Sequence, residues 1–596
     1  MRLAMYKQVW IFDRCALNLD DRNTAMKRRD FLTRAATLPL YLRTAFAKQI
    51  TTPSRSVKNR SALPAGTPVL SRYQLTRDRV IRGKAPAYSV DFILEDIHGE
   101  PGRRFTEFSG DVSGRWIGAL STAALVYGDH FETLDEVVQK VISLQHPEGY
   151  FGKTFHYDKP NDLDLALLWG NGRLLIGLIE YYRLTRKTEV LGAARRLGDF
   201  LIRLGPEYNS SKMADEFSAA HFASSYICWT QLTEGLAALY AETQDPRYRD
   251  LCSAIAGRME RRPGDHVHGY LTSLRGTLDL FEVTRDTAHL KLVEARYDEI
   301  LDSGDILVTG GVPEAWSPKK KRTEGCAECD WLRLNLHLYK ITGDERYIDM
   351  AERIIFNEFS MNQFATGDFG HAVLDSNGVP QMLTVRAWWC CTLHGMRAFA
   401  DVTRSVFRLD GKTATFALPL DGVLTTADLI LESTSSLALD RTARLYVQRA
   451  NGHSLKIRRP LWARNIAVHH NGRLVPEDAI ELLKTGDRVH IAYSMEPTTT
   501  SWKGVGNIVQ YGPWLLGAAS TLNPGYFNEL HASNKLIRDS LISSPEDANS
   551  PFHVPIASMQ ARVTPAEYPE QSQNVVLRAI AEQTTIPSTQ WQIVFS

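Results

Sequence analysis

The chain has 596 residues, too many for one ordinary domain, so two or three are expected. Its content of 44% hydrophobic and 23% charged residues is that of a water-soluble globular protein. A formal net charge of +1, from 69 basic against 68 acidic residues, argues against broad electrostatic binding of nucleic acid or anionic membrane. No stretch approaches about 18 uninterrupted apolar residues, so no transmembrane helix is expected.

The N-terminus reads as an export signal. Lys27-Arg28-Arg29-Asp30-Phe31-Leu32 has the form of a twin-arginine motif, and a weakly apolar run spans Ala35 to Leu42. Ala45-Phe46-Ala47 then supplies a small-x-small cleavage pattern. Residues 1–47 are therefore set outside the fold, and the expected destination is the periplasm or the exterior. Pro39 and Arg43 spoil the apolar run, so an ordinary basic amphipathic N-terminus is the competing reading. Met26 stands where such a signal would begin, which leaves Met1 and Met26 both open as the start.

Residues 48–110 form a mixed lead-in, within which Tyr88 to His98 reads as extended. From about Asp111 the texture turns helical: Gly118 to Tyr127, Leu134 to Ile142 and Leu174 to Tyr182 carry apolar residues at helical spacing. A phrase then repeats. Tyr182-Arg-Leu-Thr185 recurs as Tyr240-Ala-Glu-Thr243, Phe281-Glu-Val-Thr284 and Tyr339-Lys-Ile-Thr342. Asp245, Asp286 and Asp344 each follow the threonine by two residues, suited to cap the next helix. Helical hairpins of this kind cannot bury their apolar faces alone, so they must stack or close into a ring. An (α/α)6 toroid over residues 111–406 is the expected architecture, with an open α-solenoid as the alternative.

After about Val406 the period changes to two. Leu455-Lys-Ile-Arg alternates, Ile466 to His470 leads into Asn471-Gly472, and Gly486-Asp487 precedes Arg488 to Tyr493. Such alternation with Asn-Gly punctuation marks antiparallel strands. The chain is thus expected to be α+β and multidomain, with a β-sandwich over residues 407–520. Residues 521–596 are expected as a β or irregular segment packing on it.

Chemistry concentrates between Glu314 and Cys391. Thr323-Glu324-Gly325-Cys326-Ala327-Glu328-Cys329 is followed some sixty residues later by Trp388-Trp389-Cys390-Cys391-Thr392-Leu393-His394. Neither cluster looks like a zinc ribbon or a redox pair. The reading adopted is that Glu324, Cys326, Cys390 and Cys391 surround one metal ion, with Cys390 also a nucleophile. Zinc suits a mixed thiolate and carboxylate shell. Gly325 would permit the turn that brings Glu324 and Cys326 to one ion. A helix N-terminus ahead of Met396 would favour thiolate at Cys390 and Cys391. Glu314, flanked by Pro313 and Trp316, is the candidate general acid in a partly apolar pocket; its alternative is a solvated loop residue. A disulfide from Cys326 or Cys329 to Cys390 or Cys391 is the competing use of the sulfurs, and Cys329 could replace one ligand. Cys228 and Cys252, on apolar helices, read as buried and inert. Trp116, Trp169, Trp316, Trp388 and Trp389 are stacking candidates that mostly read as core. His266-Val267-His268 and His394 read as structural or cleft residues rather than ligands, and Lys319-Lys320-Lys321-Arg322 reads as a solvated loop.

These residues together resemble glycoside hydrolase family 127, typified by β-L-arabinofuranosidases. Glu324-Gly325-Cys326 looks like the family's Glu-Thr-Cys, and Cys390-Cys391 like its cysteine pair. Gly311-Val-Pro-Glu314, His266-Val-His268 and Leu455 to Trp462 support the likeness, which spans roughly residues 85–585. The resemblance implies a retaining glycosidase acting at a non-reducing end, with Cys390 as nucleophile, Glu314 as acid/base and Zn2+ as cofactor. It further implies Glu324, Cys326, Cys390 and Cys391 as metal ligands. Substrate contacts are expected from His266, His268, Trp316, Trp389 and His394. The substrate is then an oligosaccharide, polysaccharide or glycoconjugate, with no nucleic-acid partner, and a homodimer is the assembly expected. Gly325 in place of Thr, the extra Cys329 and Thr392-Leu393-His394-Gly395 after the cysteine pair depart from the family on the cleft wall. The alternatives are another (α/α)6 carbohydrate enzyme, such as an unsaturated-uronyl hydrolase or lyase, and a non-catalytic carbohydrate-binding protein.

Overall fold

The computed structural model describes residues 60–61, 68–82, 88–99, 105–158, 160–210, 223–317, 322–364, 366–374, 380–476, 479–520, 522–523, 534–543, 559–565, 572–581 and 591–595. The export signal expected over residues 1–47, Cys15 and Lys319 to Lys321 lie outside the described residues. None of the described helices is long and apolar enough to cross a membrane.

The helices run in chain order as α1 (Pro68–Arg82), α2 (Val90–His98), α3 (Asp111–Tyr127), α4 (Leu134–Ser143), α5 (Asp162–Thr185), α6 (Thr188–Tyr208) and α7 (Ser225–Thr230). They continue as α8 (Thr233–Thr243), α9 (Pro246–Ala256), α10 (Val267–Thr284), α11 (Thr287–Asp302), α12 (Gly325–Thr342), α13 (Glu345–Ile354) and α14 (Trp389–Arg404). Among the described residues, α3, α5, α8, α10, α12 and α14 each pack on the next, and α14 returns to α3. The ring is closed, so the architecture is the (α/α)6 toroid and not an open solenoid. The helices α4, α6, α9, α11, α13 and α1 lie one apiece against that inner ring.

The repeated phrase marks the inner-to-outer turns. In each, the aromatic carbonyl accepts the N–H of a left-handed residue just past the helix: Arg186 to Tyr182 (2.7 Å), Gln244 to Tyr240, Arg285 to Phe281 and Gly343 to Tyr339 (2.8 Å each). The threonine hydroxyl donates back to the carbonyl four residues earlier, at 2.7–3.0 Å. Asp245, Asp286 and Asp344 then cap α9, α11 and α13, accepting from Arg247, Ala288 and Arg346 N–H.

The segment Tyr88 to His98 is helical, not extended. Ser89 caps α2 by accepting the Phe92 N–H at 3.2 Å, and Phe92, Ile93, Leu94 and Ile97 share its buried face. A lead-in that reads as irregular thus supplies α1, the outer helix that completes the ring, and Tyr73 on it stacks on Tyr127 with ring centroids 3.8 Å apart.

Beyond α14 an antiparallel sheet of seven strands runs in the order 60–61, 422–425, 429–436, 442–450, 488–493, 466–470 and 473–475. A smaller sheet of strands 479–480, 454–457, 413–416 and 407–410 shares its apolar core. The turn at Asn471-Gly472 has both residues left-handed, as a two-residue hairpin requires. Buried Arg458 ties this sandwich to α13, donating to Asp349 (2.6 Å) and Glu352 (3.0 Å), while Trp462 Nε1 donates to Glu352 (2.9 Å).

The expected division at residue 520 differs from what is observed. Strands 497–502, 506–511 and 514–519 belong to a third sheet, together with 534–543, 559–565, 573–579 and the short strands 591–592 and 594–595. One apolar face, with Trp502, Ile508, Leu515, Ile580, Trp591 and Ile593, meets Val308 and Met361 of the helical region, while Val509, Leu516, Val563 and Leu577 join the larger core that also holds the sandwich residues. The Asn357 side chain bonds both Pro513 O (3.0 Å) and Leu515 N–H (2.7 Å) across that junction.

Candidate active site

Two helix N-termini converge at one end of the ring. Glu324 is the extended residue before α12 (φ −144°, ψ 126°), and Trp388 holds the same place before α14 (φ −138°, ψ 143°). Cys326, Cys390 and Cys391 therefore lie in first helical turns, where unpaired amide N–H groups favour negative charge. Cys326 and Cys391 Sγ are 3.7 Å apart, and Cys390 and Cys391 Sγ 4.0 Å. These are free thiols, and the separations are far from the ~2.05 Å of a disulfide. They match the ~3.8 Å edge of a tetrahedron with ~2.3 Å metal–sulfur bonds. One oxygen of Glu324 and the three sulfurs all lie within 4.8 Å of one another. The donor set, three thiols and a carboxylate, fits zinc. Cys329, also on α12, is fully buried, and burial pushes its thiol well up.

Gly325 is needed for proximity rather than for a turn. A Cβ there would lie 2.9 Å from Cys391 Cβ, 3.1 Å from Asn362 Oδ1 and 3.2 Å from Gly370 O. Its absence lets α12 approach α14 closely enough for the sulfurs to meet.

The three thiols are not equivalent. Cys326 and Cys391 are fully buried while Cys390 is partly exposed. Hydrogen bonding from Cys326 and Cys391 holds the Cys390 thiol well below its usual range, against the opposing effect of burial, with Arg115 adding to it. Burial pushes Cys326 and Cys391 up. The accessible sulfur is the one disposed to be a thiolate.

Glu314 is held over this group by backbone. Its N–H donates to Arg322 O (3.1 Å) and its carbonyl accepts the Val267 N–H (2.9 Å), so the loop is pinned between the segment before α10 and the one before α12. Its carboxylate, expected in an apolar pocket, instead receives two donors from Arg322, Nη2 at 2.6 Å and a close Nε. Arg322 is thus solvent-exposed, as expected of the basic run, and at the same time a partner of the site. His371, on the strand Phe369–Leu374, lies 4.0 Å from Glu314 Oε1. His266 Nε2 and Glu324 Oε2 are 2.9 Å apart, and His266, Glu314 and Glu324 form a second group within 4.8 Å. Burial raises the Glu324 carboxyl, but the charge and hydrogen bond of His266 outweigh it and hold it well below the carboxylate range. Burial disfavours charge on His266, and Glu324 reverses that. Glu324 therefore belongs to both groups and links Cys390 to Glu314.

Beneath the sulfurs the lumen of the ring is filled by charge. Arg115 on α3 donates from Nε to Asp111 (2.8 Å), and its Nη1 lies 3.8 Å from Cys326 Sγ and 3.2 Å from His394 Nε2. His268 Nδ1 is 2.7 Å from Asp330 Oδ2, which also accepts from Thr272; Arg275 and Arg333 approach Asp330 Oδ1. Deeper, Glu234 is met by Arg173, Arg275 and Arg397 at 3.1–3.5 Å. Burial opposes its charge, but Arg275 and Arg397 dominate and hold it down to about 2.

Several expected contacts lie elsewhere. His268 and His394 are fully buried in this network, below the sulfurs, and burial lowers both, His268 to about 4. Trp316 is also fully buried, its ring edge-on to Tyr270 and covered by Arg261, so it offers no face to a sugar. Trp389 is half-buried among Phe92, Phe105 and Trp388. Only His266 of the expected contacts reaches the Glu314–Glu324 group. Arg115, Asp330 and His371 join the site from unmarked sequence; Arg115 and Asp330 become visible when inner helices are aligned at their N-termini, and His371 comes from the strand Phe369–Leu374.

The model of the GH127 catalytic domain, described as β-L-arabinofuranosidase, matches residues 93–404, just over half of the chain. The fold is similar to that of a solved GH127 β-L-arabinofuranosidase from Geobacillus stearothermophilus T6, with TM-score 0.71 and 15% identity over 90% of this chain and all of that one. A second solved GH127 β-arabinofuranosidase gives TM-score 0.65 and 16% identity over 95% of each chain. No curated protein matches the sequence. On the match of its catalytic domain, the chain belongs to glycoside hydrolase family 127.

Proposed function

We propose that the chain is a retaining glycosidase that removes a non-reducing-end sugar, with β-L-arabinofuranose as the reference substrate. The observation that carries this reading is the partly exposed Cys390 sulfur, low in pKa and one side chain, Glu324, away from Glu314. Glu324, Cys326, Cys390 and Cys391 would hold a zinc ion. Such an ion supplies positive charge that keeps its thiol ligands deprotonated and fixes their directions.

In the first step the Cys390 thiolate attacks the anomeric carbon while the Glu314 carboxylic acid protonates the departing oxygen, giving a thioglycoside and a free alcohol. In the second, water attacks the same carbon, Glu314 takes its proton, and Cys390 leaves as a thiolate. Two inversions return the original configuration. Arg322 now occupies both Glu314 oxygens, so substrate arrival must free one of them for the proton. His266 holds Glu324 in place from the side away from the sulfurs.

The test is turnover of aryl β-L-arabinofuranosides followed by NMR of the first-formed sugar, alongside metal analysis and thiol titration. Retention, about one zinc per chain and protected thiols are expected. An inverted product, or undiminished turnover by Cys390→Ser, would remove the cysteine mechanism.

A further inference from the structure

A second concavity lies far along the chain from this centre, on the outward face of the seven-stranded sheet. It encloses about 720 Å³ and is lined by Glu432, Arg444, Tyr446, His469, Arg488 and His490, among others. These residues come from four strands and form two rows. His469 stands opposite His490 and His490 opposite Arg444; two residues along, Arg488 stands opposite Tyr446 and Tyr446 opposite Glu432. The intervening Leu445, Val447, Val489 and Ile491 are buried in the sandwich core, so the rows face outward by strict alternation.

This face is not arranged for stability alone. Arg444 and Arg488 are diagonal neighbours on adjacent strands, and His490 lies directly across from Arg444. Like charges at such positions repel unless something offsets them. The Arg444 side chain is 59% exposed and, among the described residues, is paired with Asp440 alone, at 3.5 Å. Glu432 is the one carboxylate among the six. Tyr446, 42% exposed, stands between Arg488 and Glu432 in the second row. Among the described residues, His469 Nδ1 is buried without a hydrogen-bond partner. Two guanidinium forks suit a carboxylate, an exposed phenol ring suits the apolar face of a pyranose, and Glu432 suits hydroxyl donors.

We propose that this sheet face is a glycan-binding site for acidic saccharides, one that holds a uronate-bearing chain away from the centre that cleaves. The carboxylate of a sugar ring bridges Arg444 and Arg488, and the ring lies over Tyr446. The test is affinity electrophoresis and calorimetry of the full chain with polygalacturonate, with its methyl-esterified form and with dextran sulfate. Polygalacturonate is expected to bind at least tenfold more tightly than the esterified chain. Arg444→Gln and Arg488→Gln should each weaken it about tenfold and Tyr446→Ala about fivefold, with melting temperature unchanged because all three side chains are exposed. Equal binding of the esterified chain would overturn the proposal. So would binding that survives both arginine changes, or a preference for dextran sulfate indifferent to Tyr446, which would mark charge attraction alone. Turnover of a small aryl glycoside by the same variants separates this outcome from failure of the catalytic reading.

Discussion

At the C-terminal ends of the inner helices, four turns are built alike: an aromatic carbonyl, a back-bonded threonine, a left-handed residue and, in three of them, an aspartate cap. At the N-terminal ends nothing repeats. There α10 is preceded by His266, α12 by Glu324 and α14 by Trp388, and each start is bent to a different task. One end of the ring holds the barrel together by local bonds that any segment could use. The other leaves helix starts open so that their amides and first-turn side chains serve chemistry.

The largest expected effect tests that contrast at the mouth. Cys390→Ser should lower kcat/KM by at least about 10³-fold, since a serine hydroxyl at neutral pH is a far weaker nucleophile. Glu314→Gln should cost about 10²–10⁴-fold on poor leaving groups. On an activated aryl glycoside the first step should be nearly spared; an equal loss on both substrates would deny Glu314 its acid role.

A third change probes stability at the same end. Buried Glu358, which accepts from Thr309 and packs against Gly311 in the loop leading to Glu314, is raised by burial to about 7. The folded state thus keeps a proton that the unfolded chain releases from about pH 4.5 upward. Its contribution is fully present below pH 4.5 and is lost as pH rises to about 7. Glu358→Gln should flatten that fall, worth up to about 3 kcal/mol, in thermal melts at pH 5 and pH 8. An unchanged pH slope would show the group to be ionised throughout.

The smallest effect is expected at the repeating end. Asp286→Ala removes one cap and should cost about 1 kcal/mol, read in denaturant melts, with kcat/KM unchanged. A loss of turnover there would mean that the two ends are coupled.

The repeating end was the more legible in sequence, because its bonds are local. Thr284 and Asp286 announce their roles by spacing alone. The sulfur cluster was legible as composition, since Cys390-Cys391 and Glu324-x-Cys326 are rare pairings. What could not be read was anything decided by side-chain depth. His268 and His394 differ from His266 only in how far down the ring they point. Trp316 looks like a sugar platform until Arg261 and Tyr270 are placed over it. Arg322 sits at the end of a basic run that reads as solvent-facing, as it is, but its contact with Glu314 depends on an isolated bridge between Pro313 and Thr323 that spacing does not announce. Gly325 suggested a turn where the fold needs an absent methyl group. The third sheet was hidden because its strands come from both sides of the expected division at residue 520.

The packed ions of Asp330, Glu234 and their arginines give the ring a solid floor. Among the described residues, a ring filled below in this way is left open at its sulfur end. Under the proposed mechanism the severed alcohol would clear that opening before water reached the thioglycoside, and the freed sugar would then leave against the next arrival. On that reading turnover would be paced by departures, and free monosaccharide should act as its own brake.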